Sequence, residues 1–222
     1  LHNNKTPQEI FLNDPVGLTL RYRDPVSTIE ENQQKSIFLI DQWCSNYEQK
    51  IQDLGGIGFF LGGIGPDGHI AFNIRGSDHN STTRLMETNF ETQAAAATDL
   101  GGIEISKKHL VITIGLGTIT FNKDTTAIIT AAGEAKAKII RDSIESSPST
   151  NFPASALNKI NNSNFNKEDI IIGPGTKELM FLLHTIFEGD IILPIPSWVS
   201  YLPQAILGRN KIKTLQTKYF IS

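Results

Sequence analysis

An aspartate and a histidine lie two residues apart in a glycine-rich segment that could transfer protons. Asp67 and His69 belong to Gly62–Asn73, whose sequence is GGIGPDGHIAFN. An imidazole beside a carboxylate suits proton transfer near neutral pH. Because glycine lets the backbone approach a ligand closely, we expect the amides of Gly63 and Gly65 to contact ligand oxygens. The structural alternative is a surface turn in which the two side chains cap a helix.

The elements around this segment predict an α/β fold with a mostly parallel sheet and flanking helices. Three nearly all-apolar stretches predict strands at about 57–61, 110–115 and 126–131. Amphipathic stretches predict helices at about 33–54 and 134–146, and strands that alternate with helices favour a parallel sheet. Residues 1–30 are polar and interrupted by prolines, which predicts a loop. Asp67 and His69 would then lie at the carboxyl end of the first strand, where such sheets bind small molecules.

The character of the sequence changes near residue 160. Five asparagines between Asn158 and Asn166 indicate a linker. We therefore predict one domain over residues 1–160 and a small second α/β unit over 161–222. The second unit would contain a strand, a glycine-rich turn, a helix ending near Phe187 and another strand at Ile191–Leu193.

Composition excludes several classes of protein. The 222 residues carry a net charge of −3 without a basic stripe, so nucleic-acid binding has no electrostatic support. No run of eighteen apolar residues exists, and we expect no membrane span. Cys44 is the only cysteine, which excludes an intrachain disulfide and fits a cytoplasmic, reducing compartment. Its helical context predicts a buried thiol. The chain does not begin with Met, so we expect it to be part of something longer.

Over roughly residues 35–160 the chain resembles the glucosamine-6-phosphate deaminase/isomerase family, with the sugar-phosphate lactonases as more distant relatives. The GGIGPDGHIAFN segment carries the resemblance, since its Ile-Ala-Phe-Asn is similar to the deaminases. Other matching segments follow in the same order and spacing: Tyr47–Ile51, Ser81–Arg84, Leu110–Ile119, Gly133–Ala137 and Pro153–Leu157.

The resemblance implies a role for each candidate residue. His69 would be the acid/base that opens the sugar ring, and Asp67 would orient it or lie by the reacting oxygens. Lys136, at a helix start after a glycine, would bind the substrate phosphate. Arg84 matches a position that the family links to an effector phosphate. The alternative for both cations is a solvated surface residue, as we expect for Lys138. The family needs no metal or organic cofactor.

Three departures from the family pattern bear on activity. An acidic residue follows the Asn of the motif in the family, whereas here Ile74 follows Asn73. A second phosphate-binding arginine would fall near 96–98, where no cation exists. The family's first half supplies a phosphate loop and an aspartate that moves the C1/C2 proton, and the first thirty residues contain neither. These departures predict a protein that is catalytically incomplete on its own.

Roughly residues 167–217 resemble the class I/II pyridoxal-phosphate aminotransferases. The loop that includes Gly175 and Thr176 matches the one that holds the cofactor phosphate at a helix N-terminus. Trp198 occupies the place of the aromatic residue that stacks on the cofactor ring. That family's imine-forming lysine would lie beyond residue 222. A core aromatic is the structural alternative for Trp198.

These patterns support three hypotheses. The first is conversion of glucosamine 6-phosphate to fructose 6-phosphate and ammonia, as the resemblance implies. The second is a sugar-phosphate-binding module without turnover, and the third is a fragment of a pyridoxal-phosphate aminotransferase. A fusion in which neither part retains activity is a further alternative. Severed α/β units leave strand edges unpaired, so we also expect a homo-oligomer or a marginally stable chain.

Overall fold

The computed structural model describes residues 17–131, 133–160, 176–195, 197 and 199–216. The described residues fall into two compact units. The first contains residues 17–129 and 135–160, and the second contains the described parts of 130–134 and 166–222. The predicted domain boundary at residue 160 lies next to residues that are not described, and it stays a prediction.

Helices and strands alternate along both units, which confirms the predicted α/β class. The α-helices are α1 (Thr28–Asp53), α2 (Phe90–Leu100), α3 (Ile103–Ser106), α4 (Leu116–Thr120), α5 (Ala137–Glu145), α6 (Thr176–Ile186) and α7 (Tyr201–Leu207). The strands are β1 (Phe59–Gly63), β2 (Arg84–Glu87), β3 (Leu110–Thr113), β4 (Thr126–Thr130), β5 (Asp190–Ile195) and β6 (Lys211–Gln216). Short 3-10 helices lie at Leu18–Arg21, Glu134–Lys136 and Pro153–Lys159.

The described strands form three two-stranded pairs. Strand β1 pairs with β4, and β5 lies parallel to β6. Strand β2 runs antiparallel to β3, with Arg84 opposite Thr113 and Glu87 opposite Leu110. This pair departs from the expected mostly parallel sheet. The sequence does not predict β2, because four residues with charged ends give little periodic signal.

Helix α1 begins earlier than the apolar pattern predicts. The Ser27 side chain accepts a hydrogen bond from the Glu30 amide at 3.2 Å, which caps the first turn. Residues 18–21 form a 3-10 helix where the sequence predicts a loop. The helix packs on this turn and on β2 through a small buried cluster of Leu20, Ile37 and Leu85. Cys44, also in α1, is buried as predicted.

Helix α1 also carries a buried carboxylate that fixes the entry to β2. The Oε2 atom of Glu48 accepts hydrogen bonds from the Thr83 amide at 3.2 Å and hydroxyl at 3.1 Å. The Thr118 hydroxyl of α4 donates to the same oxygen at 2.8 Å. A buried carboxylate requires such donors, because an unpaired charge inside a protein is costly. Glu48 therefore links α1 by hydrogen bonds to the residue before β2 and to α4.

Candidate active site

Asp67 and His69 face each other at the end of β1. Their Oδ1 and Nδ1 atoms are 2.5 Å apart, and both side chains are largely buried. Burial by itself raises the pKa of Asp67, but attraction to His69 and the donated hydrogen bonds outweigh it and leave that pKa lowered. Asp67 is therefore ionised at neutral pH and can only accept, so Nδ1 of His69 carries a proton. In the neutral ring, Nε2 then keeps a lone pair for acid–base chemistry.

Two glycines make this arrangement possible. A Cβ atom on Gly65 would lie between 2.1 and 2.4 Å from three atoms of the His69 ring, so the ring can only rest on a glycine there. Gly68 has φ of +83°, which favours glycine, and an added Cβ would lie 3.1 Å from Ile139 of α5. The turn closes through hydrogen bonds from Gly68 N to Gly65 O and from Gly65 N to His69 O.

The Gly65 amide has a different role from the one expected from sequence. It donates to the His69 carbonyl at 2.9 Å, so in this conformation it is not available to a ligand oxygen. What Gly65 contributes is the absence of a side chain beneath the imidazole. Gly63 ends β1 and lines the cavity described next, and contact of its amide with a ligand stays a prediction.

His69 lines a cavity of about 690 Å³ beside β1 and β3. The wall is mostly backbone and apolar side chains from these strands and from the motif loop. Among the described residues that line it, the charged ones are Glu91, in the first turn of α2, and Lys136. Asp67 does not line the cavity and acts on it through the His69 ring. An apolar cleft with a few polar groups is typical of a small-molecule site.

Lys136 lines the cavity, and its binding of a substrate phosphate stays a prediction. It ends the 3-10 turn before α5, and its Nζ atom donates to the Ile64 carbonyl at 2.6 Å. Ile64 follows β1 directly, so this bond holds the ammonium close to the glycine-rich loop. An ammonium has three donors, and two of these remain for an anion. Lys138 points elsewhere and pairs with Asp142 on the outside of α5.

Arg84 lies outside the cavity lining. Its guanidinium donates to Asn73 Oδ1 at 2.9 Å, to the Thr82 carbonyl and to the Ser77 hydroxyl. Burial lowers the pKa of Arg84, and nearby Asp78 opposes that effect. The described contacts give Arg84 an internal, structural role, and its binding of an effector phosphate stays a prediction.

Asn73 is a structural residue that sequence reasoning did not single out. It is fully buried, and its amide nitrogen donates to the carbonyls of Ile70 and Ile114 at 2.9 and 2.8 Å. It thereby ties the motif loop to the end of β3. Ala71, between His69 and Asn73, has φ of +52°, an uncommon conformation for a residue with a side chain. The last position of the motif therefore holds the loop in shape.

Asn89 is a second residue that the sequence did not reveal. Its amide nitrogen donates to Asp67 Oδ2 at 2.8 Å, and its oxygen caps α2 by accepting from Thr92. Asparagine before a helix is a common capping signal, so a cap at this position could have been predicted. The contact with Asp67 joins residues 22 positions apart, and no local pattern encodes it.

The aminotransferase-like candidates remain predictions. Gly175 and Trp198 lie outside the described residues. Thr176 begins α6, whose backbone is described from that residue to Ile186.

Comparison with known proteins finds named enzymes that are similar to about half of this chain. A glucosamine-6-phosphate isomerase of Candida albicans is 39% identical over 119 residues, which are 53% of this chain and 48% of that protein. A glucosamine-6-phosphate deaminase of Bacillus pumilus is 37% identical over 118 residues, with the same two coverages. About half of this chain is similar to that family. The predicted resemblance to the glucosamine-6-phosphate deaminase/isomerase family is thus confirmed over about half of the chain.

Two further relatives show how much of a deaminase this chain covers. A Xenopus laevis glucosamine-6-phosphate deaminase 2 is 43% identical over 92 residues, which are 41% of this chain and 34% of that protein. A solved structure of a monomeric glucosamine-6-phosphate deaminase matches 53% of this chain at 35% identity and a TM-score of 0.48. The chain spans less than half the length of these relatives. No family model matches it.

The described residues contain neither a membrane-crossing helix nor a metal-binding cluster. None of their helices has the length and apolar character that a membrane crossing requires. No group of three or more His, Cys, Asp or Glu side chains within them is arranged to hold a metal ion.

Proposed function

We propose that this chain carries the ring-opening and phosphate-binding part of a glucosamine-6-phosphate deaminase. The reaction converts glucosamine 6-phosphate and water to fructose 6-phosphate and ammonia. The observation that carries the proposal is the Asp67–His69 pair beside a cavity that also contains Lys136. The similarity to named deaminases and isomerases over about half the chain supports it.

The contacts of His69 support a role in opening the sugar ring. With Nδ1 held by Asp67, the other nitrogen can take the proton of the sugar's anomeric hydroxyl and return one to the ring oxygen. Both transfers use one site on one ring, so no second acid is needed for this step. The open-chain aldehyde that results is the form from which amine loss can proceed.

The charges in the cavity suit a ligand that is both anionic and cationic. Lys136 has donors for a phosphate, and Glu91 offers a carboxylate for an ammonium. An aminosugar phosphate carries both groups. The proposal assigns no group of this chain to the proton transfer between C1 and C2, because an aspartate of the family's first half performs that step.

A purified chain tests the proposal by release of ammonia from glucosamine 6-phosphate. Turnover that His69→Asn abolishes would support a deaminase. Binding of glucosamine 6-phosphate without ammonia would support the second candidate, a binding module. Ile74 at the position of the family's acidic residue favours that second candidate, because an isoleucine cannot support an imidazolium. Absence of both binding and turnover would overturn both candidates.

We also propose that the chain forms a homo-oligomer in the cytoplasm. The argument for association is the amount of apolar side chain left exposed in the second unit, including Ile186 and Leu207. Binding of pyridoxal phosphate by the Gly175–Thr176 loop and Trp198 remains a prediction from resemblance alone.

A further inference from the structure

We propose that Asn89 is a positioning residue of the candidate site, acting on His69 through Asp67. Its Nδ2 atom donates to Asp67 Oδ2 at 2.8 Å, while the other oxygen of that carboxylate faces His69 Nδ1 at 2.5 Å. Each carboxylate oxygen thus has its own partner. A carboxylate held at both oxygens cannot rotate away from the imidazole without breaking a hydrogen bond.

The other end of the Asn89 amide is fixed as well. Its Oδ1 atom accepts from the Thr92 amide at 3.1 Å and from the Thr92 hydroxyl at 2.6 Å. These contacts make Asn89 the N-cap of α2 and assign its oxygen to the helix side. The nitrogen must therefore face Asp67, where only a donor is useful to an ionised carboxylate.

Burial explains why this second donor matters. Asp67 is buried behind the His69 ring, and a buried carboxylate oxygen without a donor is costly. His69 can satisfy only one of the two oxygens. In the structure Asn89 supplies the donor for the other, so it helps to keep Asp67 charged and in place beside the imidazole.

The same residue joins two walls of the cavity. Glu91 and Thr92 line the cavity from the first turn of α2, and His69 lines it from the motif loop. Asn89 begins that turn and contacts the loop through Asp67. It therefore ties the first turn of α2, which carries Glu91, to the loop that carries His69. This inference deepens the proposed function and rests on it where enzyme activity is the readout.

Asn89→Ser tests the proposal with little effect on the helix. Serine is as good an N-cap as asparagine but cannot reach Asp67 with an amide donor. We expect the pKa of Asp67 in this variant to rise, because the carboxylate loses a hydrogen-bond donor, and NMR of its carboxyl carbon measures the change. The far-UV circular dichroism of the folded chain should stay unchanged.

Two further variants separate positioning from capping. Thr92→Val removes the hydroxyl that donates to Asn89 and leaves the donor to Asp67 intact, so the pKa of Asp67 should stay at its wild-type value. Asn89→Asp keeps a capping oxygen but places a second negative charge beside Asp67, and its pKa should rise further than in Asn89→Ser. An unchanged Asp67 titration in both Asn89 variants would overturn the proposal.

Kinetics add a second readout if the chain releases ammonia. Asn89→Ser should lower kcat about tenfold and change KM for glucosamine 6-phosphate less than about threefold, because the imidazole is disturbed and the phosphate contact is not. If Asn89→Ser is fully active although the pKa of Asp67 has changed, Asn89 affects only the ionisation of Asp67. That result would overturn the proposal that Asn89 positions His69. If the wild-type chain releases no ammonia, the proposed deaminase activity is wrong. The NMR titration of Asp67 still tests the role of Asn89, because it does not depend on activity.

Discussion

The two compact units differ in which side chains they bury. In the first, buried polar groups form connected networks, such as His69, Asp67 and Asn89 or Glu48 with its threonines. In the second, a two-stranded parallel sheet and two helices bury only Leu193 and Ala205 among the described apolar residues, while Ile186 is 73% and Leu207 67% exposed. A fully hydrogen-bonded polar network holds the side chains of a site in one arrangement. Exposed apolar surface instead indicates contact with another protein surface.

The comparison also separates two kinds of motif. The glycine-rich loop of the first unit has its chemistry-bearing residues and their supporting contacts within one unit. The glycine-rich loop predicted for the second unit lies outside the described residues, and its cofactor role stays a prediction. Function should therefore follow substitutions in the first unit, and association should follow substitutions in the second.

The largest expected effect is at His69. We predict that His69→Asn lowers ammonia release at least about 100-fold, because proton transfer by a positioned side chain contributes that much or more. The matched control is His79→Asn, since His79 is also buried but does not line the cavity. Steady-state kinetics on glucosamine 6-phosphate measures both variants. Equal loss in the two would show that the cavity does not contain the reacting atoms.

Lys136 gives the next largest effect. Lys136→Met should weaken binding of glucosamine 6-phosphate by about 10- to 100-fold, which corresponds to loss of a charge-assisted hydrogen bond. Binding of glucosamine without the phosphate should not change. Lys138→Met serves as the control, because that exposed lysine pairs with Asp142 on the surface. Calorimetric titration measures the affinities, and similar affinity in wild type and Lys136→Met would remove Lys136 from the site.

Glu91 should have a smaller and more selective effect. Glu91→Gln should weaken binding of glucosamine 6-phosphate by about 3- to 10-fold, since one partly solvated contact to the ammonium is lost. Glucose 6-phosphate, which lacks the amine, should bind both forms alike. Glu104→Gln changes an exposed acid that pairs with Lys107 and provides the control. A parallel loss for both sugars would place Glu91 outside the amine contact.

The second unit is tested through association. Replacing Ile186 and Leu207 by serine should shift the chain toward monomer in sedimentation velocity, because both side chains are largely exposed. Ammonia release should stay within about twofold of wild type, since neither residue belongs to the unit with the cavity. A wild-type chain that stays monomeric at high micromolar concentration would contradict the proposed oligomer.

The smallest expected effect concerns pH. Burial lowers the pKa of His79, and its Nε2 atom has no hydrogen-bond partner among the described residues. The unfolded chain therefore binds a proton more readily than the folded one, so stability is complete above the unfolded pKa of about 6.5 and falls as the pH drops below it. Urea unfolding at several pH values should show a weaker fall in His79→Asn. An identical pH profile in the two proteins would contradict this account.

Some features of the chain could be predicted from local sequence. The apolar stretches indicated β1, β3 and β4, and the glycine spacing marked the loop that contains Asp67 and His69. Each of these signals is local, since strand periodicity and positive φ depend on neighbouring residues. Lys136 was indicated by the family resemblance of Gly133–Ala137, and its position at a helix start after a glycine suits an anion site. The sequence alone therefore determined the α/β class and the central residues of the candidate site.

Only the tertiary structure decided how these residues are supported. Asn89 contacts Asp67 across 22 positions, Lys136 contacts Ile64 across 72, and Glu48 contacts Thr118 across 70. The sequence also did not predict the antiparallel pairing of β2 with β3 or the hydrogen bond from Arg84 to Asn73. Hydrogen bonds between distant residues depend on how the chain folds back on itself, and no periodicity in the sequence records which donor meets which buried acceptor.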